Sequence, residues 1–488
     1  MPVQLWTRSD GKWRSRWLLV IASVVLGLGS LWPGGASAKP LAERLDAALR
    51  HPALRNAELS ILIEDERSQL ALYERNSEKL LIPASNMKIM TAIGALQTFG
   101  PTYRFATRIL TDRAPDASGT VGQLAVVGSG DPVLNSEDWW RLAADLRKRG
   151  LKRVDGDILV NDALFDHAFW HPQWKGLSAR AYHAPVSALT ANYGAFFVSV
   201  TPGRGRGDPV QVTVDPPIAY LSIVNQATTG APGSPSTLSV ERSASEAGGE
   251  VVTIRGQVAA GEDSTAIPRS VADPALYAGE VLRLQLEAVG IQVAGEVRPG
   301  SSALPHLLAT HEGRSLAEVV GLFMKYSNNS MAESLVKSMA VQRGQRPGSW
   351  PAGLQALRTR LSKLGLLGPG AVLADGSGLS IENRLSARML VDALRVGGRS
   401  FRIGPEFMSA FPIAARDGTL ENRAGRSAEL VRAKTGLLSD QRVIALSGFM
   451  LRPDGDVALF SILVNGHAGR SQSAMDAIDR FVAELTRR

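Results

Sequence analysis

The sequence predicts a mixed α/β fold of the α+β kind, and three observations carry that prediction. Strand patterns stand near the start, helices with polar junctions occupy the second half, and a strand meander closes the chain. Taken in order, Leu41, Leu45 and Leu49 recur at helical spacing and predict a short amphipathic helix. Leu59, Ile61 and Ile63 alternate with other residues, Asp65-Glu66-Arg67-Ser68 makes a turn, and Leu70 and Leu72 resume, so 58–75 reads as a hairpin. Pro83 opens a helix over 84–98, with Ile89, Ile93 and Leu96 on one face and Gly100-Pro101 as its stop. From 102 to about 307 the texture is β-rich: Phe105–Leu110, Leu124–Val127, Val210–Val214 and Val251–Ile254 lie among Gly, Pro and Ser clusters. Within it Leu142–Gly150 leading to Gly156-Asp157-Ile158 resembles Leu282–Gly290 leading to Gly295-Glu296-Val297, a repeat of architecture. Helical texture returns at Ser315, and Ser315/Glu318 and Ser330/Glu333 both fit a capping box. The predicted meander is Glu429–Ala433, Val443–Met450 and Val457–Val464, turning at Arg452-Pro453-Asp454-Gly455. A last helix follows, with Met475, Ile478, Val482 and Leu485 on the face that packs on the sheet.

Composition narrows the chemistry. Among 488 residues there is no cysteine, which excludes thiol nucleophiles, disulfides, Fe–S clusters and thiolate-bound zinc. Apolar residues at 44% and charged residues at 20% exclude wholesale disorder. Arg8, Lys12, Arg14 and Arg16, the apolar stretch Trp17–Trp32 and Ala36-Ser37-Ala38 read as a signal peptide over 1–38, cleaved after Ala38 into the periplasm. That apolar stretch is 16 residues long and short of the ~20 a spanning helix needs, so cleavage is the better reading than a permanent anchor. Removing the segment's four cations and Asp10 lowers the formal charge from +8 to +5. The cations are spread, which argues against nucleic acid; a polyanionic envelope and a merely solvated surface both fit. No later run is long enough to span a bilayer.

An exported hydrolase without cysteine needs another nucleophile or a metal. There is no H-E-x-x-H, the seven histidines show no ligand spacing, and there is no G-x-S-x-G elbow. Ser-x-x-Lys occurs three times: Ser9/Lys12 in the leader, Ser334/Lys337 as ordinary polar-face residues of a helix, and Ser85/Lys88 after Pro-Ala at a helix start. Residues i and i+3 share a face, so the Lys88 amine reaches the Ser85 hydroxyl; buried or beside a second cation it would be neutral enough to take the proton. Tyr326-Ser327-Asn328-Asn329 holds the S-x-N of the chain at a predicted interhelix junction, where helix capping alone would also explain it. Lys434-Thr435-Gly436 lies at a predicted strand end; an amine, a hydroxyl and a glycine suit a terminal carboxylate beside a β-edge, and a plain polar turn is the alternative.

In this order S-x-x-K, S-x-N and K-T-G resemble the penicillin-recognising serine enzymes. The 242 residues from Ser85 to Ser327, with Gly128-Ser129-Gly130-Asp131-Pro132, Asp375-Gly376-Ser377-Gly378-Leu379-Ser380, Asp417-Gly418-Thr419-Leu420 and Leu446-Ser447-Gly448, narrow this to the D-alanyl-D-alanine carboxypeptidase/endopeptidase family, the low-molecular-mass class C penicillin-binding proteins. The resemblance implies a penicillin-binding transpeptidase/β-lactamase-like domain, an antiparallel sheet beside a helical part, built from 39–101 and 308–488 around the 102–307 insertion. It implies Ser85 as nucleophile, Lys88 as general base and Ser327 as proton relay. It further implies Asn329 holding Lys88 and the substrate amide, Lys434 supplying positive field, Thr435 binding the terminal carboxylate, and Gly436 leading to Leu437, whose N–H would join that of Ser85 in the oxyanion hole. No cofactor is implied. The partners implied are peptidoglycan stem peptides and β-lactams, with no nucleic acid and no transmembrane segment in the mature chain; monomer and homodimer both remain open. Leu437-Leu438 departs from the hydroxyl that many relatives place after K-T-G, which leaves the third-residue preference of the substrate open. A β-lactamase and a non-catalytic wall-binding or penicillin-sensing protein are the competing readings.

Overall fold

The computed structural model describes residues 40–246, 248–300 and 303–487, and the signal peptide of the sequence reading lies outside them. The hairpin forms as expected: Glu58–Asp65 and Ala71–Arg75 pair antiparallel, with Ile61 opposite Arg75. Strand Val457–Asn465 pairs with Glu58–Asp65 along its whole length, so the end of the chain completes a sheet begun at its start. Val443–Leu451 and then Val431–Leu438 extend this sheet to five antiparallel strands, leaving Val431–Leu438 as one edge.

Both faces of the sheet are covered, which is why its central strands are nearly continuous apolar runs. Alternate side chains point to opposite faces. Ile61, Ile63, Phe460, Ile462 and Val464 pack with the first helix, Leu41–Leu49, and the last, Ser471–Thr486. Leu62, Ala445, Phe449, Leu459 and Leu463 face the helical part, whose central helix is Met87–Phe99. Helix Ala387–Arg399 is tied to the sheet by Arg388 and Arg395, which both donate to the buried carboxylate of Glu64.

The 102–307 stretch leaves and re-enters through two strands that pair antiparallel, Arg104–Thr111 and His306–Ser315. Between them lies a separate apolar core, running from Ile109 to Ala309. Besides its strands and short 3-10 turns it holds, among the described residues, the α-helices Ser136–Lys148 and Pro274–Ala288. The two similar pieces lie side by side: Gln292-Val293 pairs parallel with Arg153-Val154, and Val297 with Ile158. Their Gly-acid corners touch, since a β-carbon on Gly295 would come 2.4 Å from the Gly156 carbonyl, so only glycine fits there.

Three local expectations are corrected. The Lys434-Thr435-Gly436 strand is Val431–Leu438, not Glu429–Ala433; Glu429 has φ 62° and belongs to the preceding turn, while Leu437 and Leu438 pair with Ile444 and Val443. Ser315/Glu318 is a capping box, but Ser330/Glu333 is not. Helix Asn329–Gln342 is capped by Asn328, whose side chain accepts from Met331 N, and Glu333 points inward. Ser334 and Lys337 are buried rather than on a polar face, because Gly130 and the 166–168 segment lie against them. Ser334 Oγ donates to Gly130 O at 3.0 Å. The Lys337 amine donates to Asp166 Oδ1 at 2.5 Å and Ala168 O at 2.7 Å, and lies 3.9 Å from the Trp350 ring centroid.

This latch yields a prediction. Asp166→Ala strands a buried ammonium and is expected to cost about 3 kcal/mol. Lys337→Met, which keeps the volume and frees a carboxylate that is already 31% exposed, is expected to cost less than about 1.5 kcal/mol. Urea midpoints at unchanged m test this, and equal losses would refute the charge argument.

Candidate active site

Ser85 stands in a single 3-10 turn, Ala84–Asn86, that runs straight into helix Met87–Phe99. Ala84 has φ 46°, a region in which a β-carbon is crowded, and two glycines make room for it. A β-carbon on Gly378 would sit 1.8 Å from Ala84 O, and one on Gly436 would sit 3.0 Å from Ala84 Cβ. The loop after Asp375 and the edge strand therefore close over the Ser85 turn from two sides. Ser85 itself stays half-buried and open to a cleft of about 470 Å³, which Ser327, Asn329, Tyr182 and Leu437 also line.

Lys88 follows one turn later and is completely buried. Its amine lies 3.1 Å from Ser85 Oγ, 2.7 Å from Asn329 Oδ1 and 2.7 Å from Ser377 O. Burial lowers its pKa from 10.5 to about 7, against the opposing pull of Asp375 and then Glu333. Asn329 lies in the first turn of its helix; its Oδ1 accepts from Lys88 while its Nδ2 donates to Tyr182 O at 2.9 Å. Ser327, in the left-handed conformation at φ 57°, ends helix Leu316–Tyr326 one residue before the next cap. That junction turns its hydroxyl toward the edge strand.

On that strand Lys434 pairs with Ser447, which pairs with Ser461, so small hydroxyl residues lie beside it on the face toward the helices. The Lys434 amine donates to Ser327 Oγ and to Thr435 O, both at 2.8 Å. Burial, and secondarily the nearby Lys88 amine, hold its pKa well below the ordinary lysine value. Thr435 Oγ1 donates to Thr419 Oγ1 at 2.7 Å. Gly436 lies against the Ser85 turn, and the Leu437 side chain is 44% exposed. Hydrogen bonds thus join Ser85, Lys88 and Asn329 in one cluster and Ser327 and Lys434 in another, drawn from three distant stretches, with Thr435, Gly436 and Leu437 alongside.

Two contributors escaped the sequence reading. The first is a buried acid pair. Glu333 accepts from Gly376 N, Ser377 N and Trp350 Nε1; Asp375 accepts from Gly378 N, Ser380 N and Asn383 Nδ2. Together they shape the loop whose Ser377 carbonyl grips Lys88. Burial, with Asp375 adding to it, raises the Glu333 carboxyl to about 7. A lone acid between Met331-Ala332 and Leu335-Val336 was the available signal. The second is part of the β-rich 102–307 stretch. Its 166–183 segment supplies Tyr182 O to Asn329, Trp174 Nε1 to Asp375 Oδ2 at 3.0 Å and Gln173 Oε1 to Ser380 Oγ at 3.3 Å. The cluster Phe169-Trp170-His171 with Trp174 was its mark in the sequence.

A serine hydroxyl within hydrogen-bond reach of a buried amine, beside an open cleft, suits acyl transfer through a covalent intermediate. Comparison with known proteins agrees. The chain is 38% identical over 471 residues to a D-alanyl-D-alanine carboxypeptidase of Actinomadura sp. (strain R39), covering 92% of this chain and 86% of that one. Its fold resembles the crystal structure of penicillin binding protein 4 (dacB) from Haemophilus influenzae, with a TM-score of 0.75 at 24% identity over 90% of this chain and 98% of that one. The complex of that protein with a novel β-lactam gives a TM-score of 0.73 at 23% identity, over 91% and 100% of the two chains. Residues 41–485, nearly everything the structure describes, match the model of one peptidase family, so the chain belongs to the D-Ala-D-Ala carboxypeptidase 3 (S13) family.

Proposed function

We propose that Ser85 is the acylated nucleophile of this carboxypeptidase and Lys88 its general base. As a member of its family the chain is a serine-type D-Ala-D-Ala carboxypeptidase in a penicillin-binding fold. One observation carries the residue assignment: the buried Lys88 amine faces Ser85 Oγ while two other acceptors, Asn329 Oδ1 and Ser377 O, lie at 2.7 Å. A neutral amine has two N–H groups and one lone pair. The two acceptors take the hydrogens, and the lone pair is left for the Ser85 hydroxyl proton.

In the first step Lys88 takes that proton as Oγ bonds to the carbonyl carbon of the penultimate D-Ala. The N–H groups of Ser85 and Leu437 would hold the oxyanion, each worth ~3–4 kcal/mol in related chemistry. The C–N bond then breaks, and Ser327, hydrogen-bonded to Lys434, relays a proton to the leaving amine. Water completes the second step, returning the Ser85 proton and releasing the shortened peptide. Asn329 holds the substrate amide and Thr435 the terminal carboxylate. An arriving carboxylate also favours the charged form of Lys434 and so restores the positive field there. A β-lactam enters the first step and stalls in the second.

By the same reading 39–101 and 308–488 form the penicillin-recognising body and 102–307 an insertion, whose separate apolar core and contacts to Asn329 and Asp375 support this. Among the described residues no helix is long and apolar enough to cross a membrane. Export to the periplasm fits a cell-wall substrate.

Cross-linked muropeptides test the activity. The protein released from its leader is expected to free D-Ala and also to convert dimers to monomers, each read separately by mass. Absence of the second product would restrict the enzyme to carboxypeptidase action. Binding without either product would favour the sensing protein, and rapid penicillin turnover the β-lactamase.

A further inference from the structure

We propose that Thr419 is a specificity-determining residue whose hydroxyl, bonded to that of Thr435, completes the binding site for the carboxylate next to the scissile bond. The inference rests on the assignment of Thr435 to that carboxylate.

A carboxylate offers about four lone-pair positions and is poorly held by one hydroxyl. Few donors are free where Lys434-Thr435-Gly436 meets Ser327. A charged Lys434 has three N–H groups, and two are directed at Ser327 Oγ and Thr435 O. Leu437, the next residue on the same face of the strand as Thr435, has no side-chain donor. Thr435 has one hydroxyl hydrogen, and it is given to Thr419 Oγ1 at 2.7 Å. When Thr435 turns this hydrogen toward an anion, Thr419 must reverse and donate its own, either to Thr435 or to the anion directly. In the first case two hydroxyls in series polarise each other toward the negative charge; in the second the carboxylate gains a further bond. In the first, Thr419 also keeps the Thr435 oxygen from being left without a donor in a nearly buried position.

Thr419 is also held as a binding group needs to be. It sits in the single turn Gly418–Leu420. Gly418, at φ 58°, packs so closely on helix Leu316–Tyr326 that a β-carbon there would lie 2.5 Å from Lys325 O. The Lys325 amine donates to Asp417 Oδ2, and Asp417 Oδ1 accepts from Ile413 N at 2.8 Å. Lys325 is two residues from Ser327, so one anchor sets both the Thr419 and the Ser327 hydroxyls. Thr419 is only partly buried.

The test compares Thr419→Val, which keeps the shape, with Thr419→Ser, which keeps the hydroxyl. Each is assayed on an acylated D-Ala-D-Ala peptide with a free C-terminus and on the same peptide as its C-terminal amide, alongside penicillin G and its methyl ester as acylating agents. Thr419→Val is expected to lower kcat/KM for the free acid, and the acylation rate for penicillin G, about tenfold, mainly through KM. The amide and the ester should change by less than about twofold, and Thr419→Ser should restore most of the loss. The acid-to-amide ratio is independent of how much protein is folded. An equal loss on acid and amide, or no loss on the acid, would overturn the proposal. Failure of the underlying assignment appears separately: Thr435→Val would then leave the same ratio unchanged in an otherwise native chain.

Discussion

Ser85→Ala abolishes D-Ala release and labelling by fluorescent penicillin together, with turnover reduced on the order of 10⁴-fold or more, as for nucleophile removal in other serine hydrolases. The reason is covalent: in the proposed assignment Ser85 Oγ is the atom that bonds to the carbonyl carbon in both reactions. No neighbouring hydroxyl replaces it. Ser327 is the partner of Lys434, and Ser334 is buried against Gly130 O. Ser85 is half-buried with an open side, so its removal leaves no sizeable cavity and the melting temperature is expected to stay within a few degrees. Unchanged labelling of a folded Ser85→Ala protein would assign the nucleophile elsewhere.

Acylation by penicillin loses about tenfold per pH unit once the pH falls below about 7, where Lys88 titrates. The sign follows from the role. In the role proposed for it Lys88 acts as the neutral amine, burial makes that form dominant above about 7, and acid returns the proton and removes the base. Lys88→Met keeps the length of the side chain, lowers the acylation rate by about 10²–10⁴-fold and removes the acid limb. Rates measured from pH 5 to 9 for both proteins check this. An acid limb that persists in Lys88→Met would transfer the role to Lys434, whose pKa is also lowered by burial.

Much of the frame was legible because it is written in short-range patterns. The alternation of Leu59, Ile61 and Ile63, the stop at Gly100 and the Ser315/Glu318 box are each settled within a few residues. The parallel pairing of the strands on either side of the two Gly-acid corners shows that local similarity reached into the 102–307 stretch too. Ser330/Glu333 failed for the opposite reason. Its spacing fits a cap, but three donors from Trp350, Gly376 and Ser377 converge on Glu333, and their combined bonds outweigh one turn of capping. Lys337 failed likewise: a lysine among polar neighbours reads as solvated until Asp166 and Trp350 arrive from elsewhere in the chain.

The sequence alone determined which residue types carry the chemistry and in what order, since Ser85/Lys88, Ser327/Asn329 and Lys434-Thr435-Gly436 are local motifs with their own spacing. Tertiary structure alone decided that they meet, that both lysines lose their solvent, and that the 173–183 segment supplies a wall of the cleft. An amine's proton affinity depends on whatever surrounds it in space, and around Lys88 those groups come from positions as far apart as 85, 329, 375 and 434.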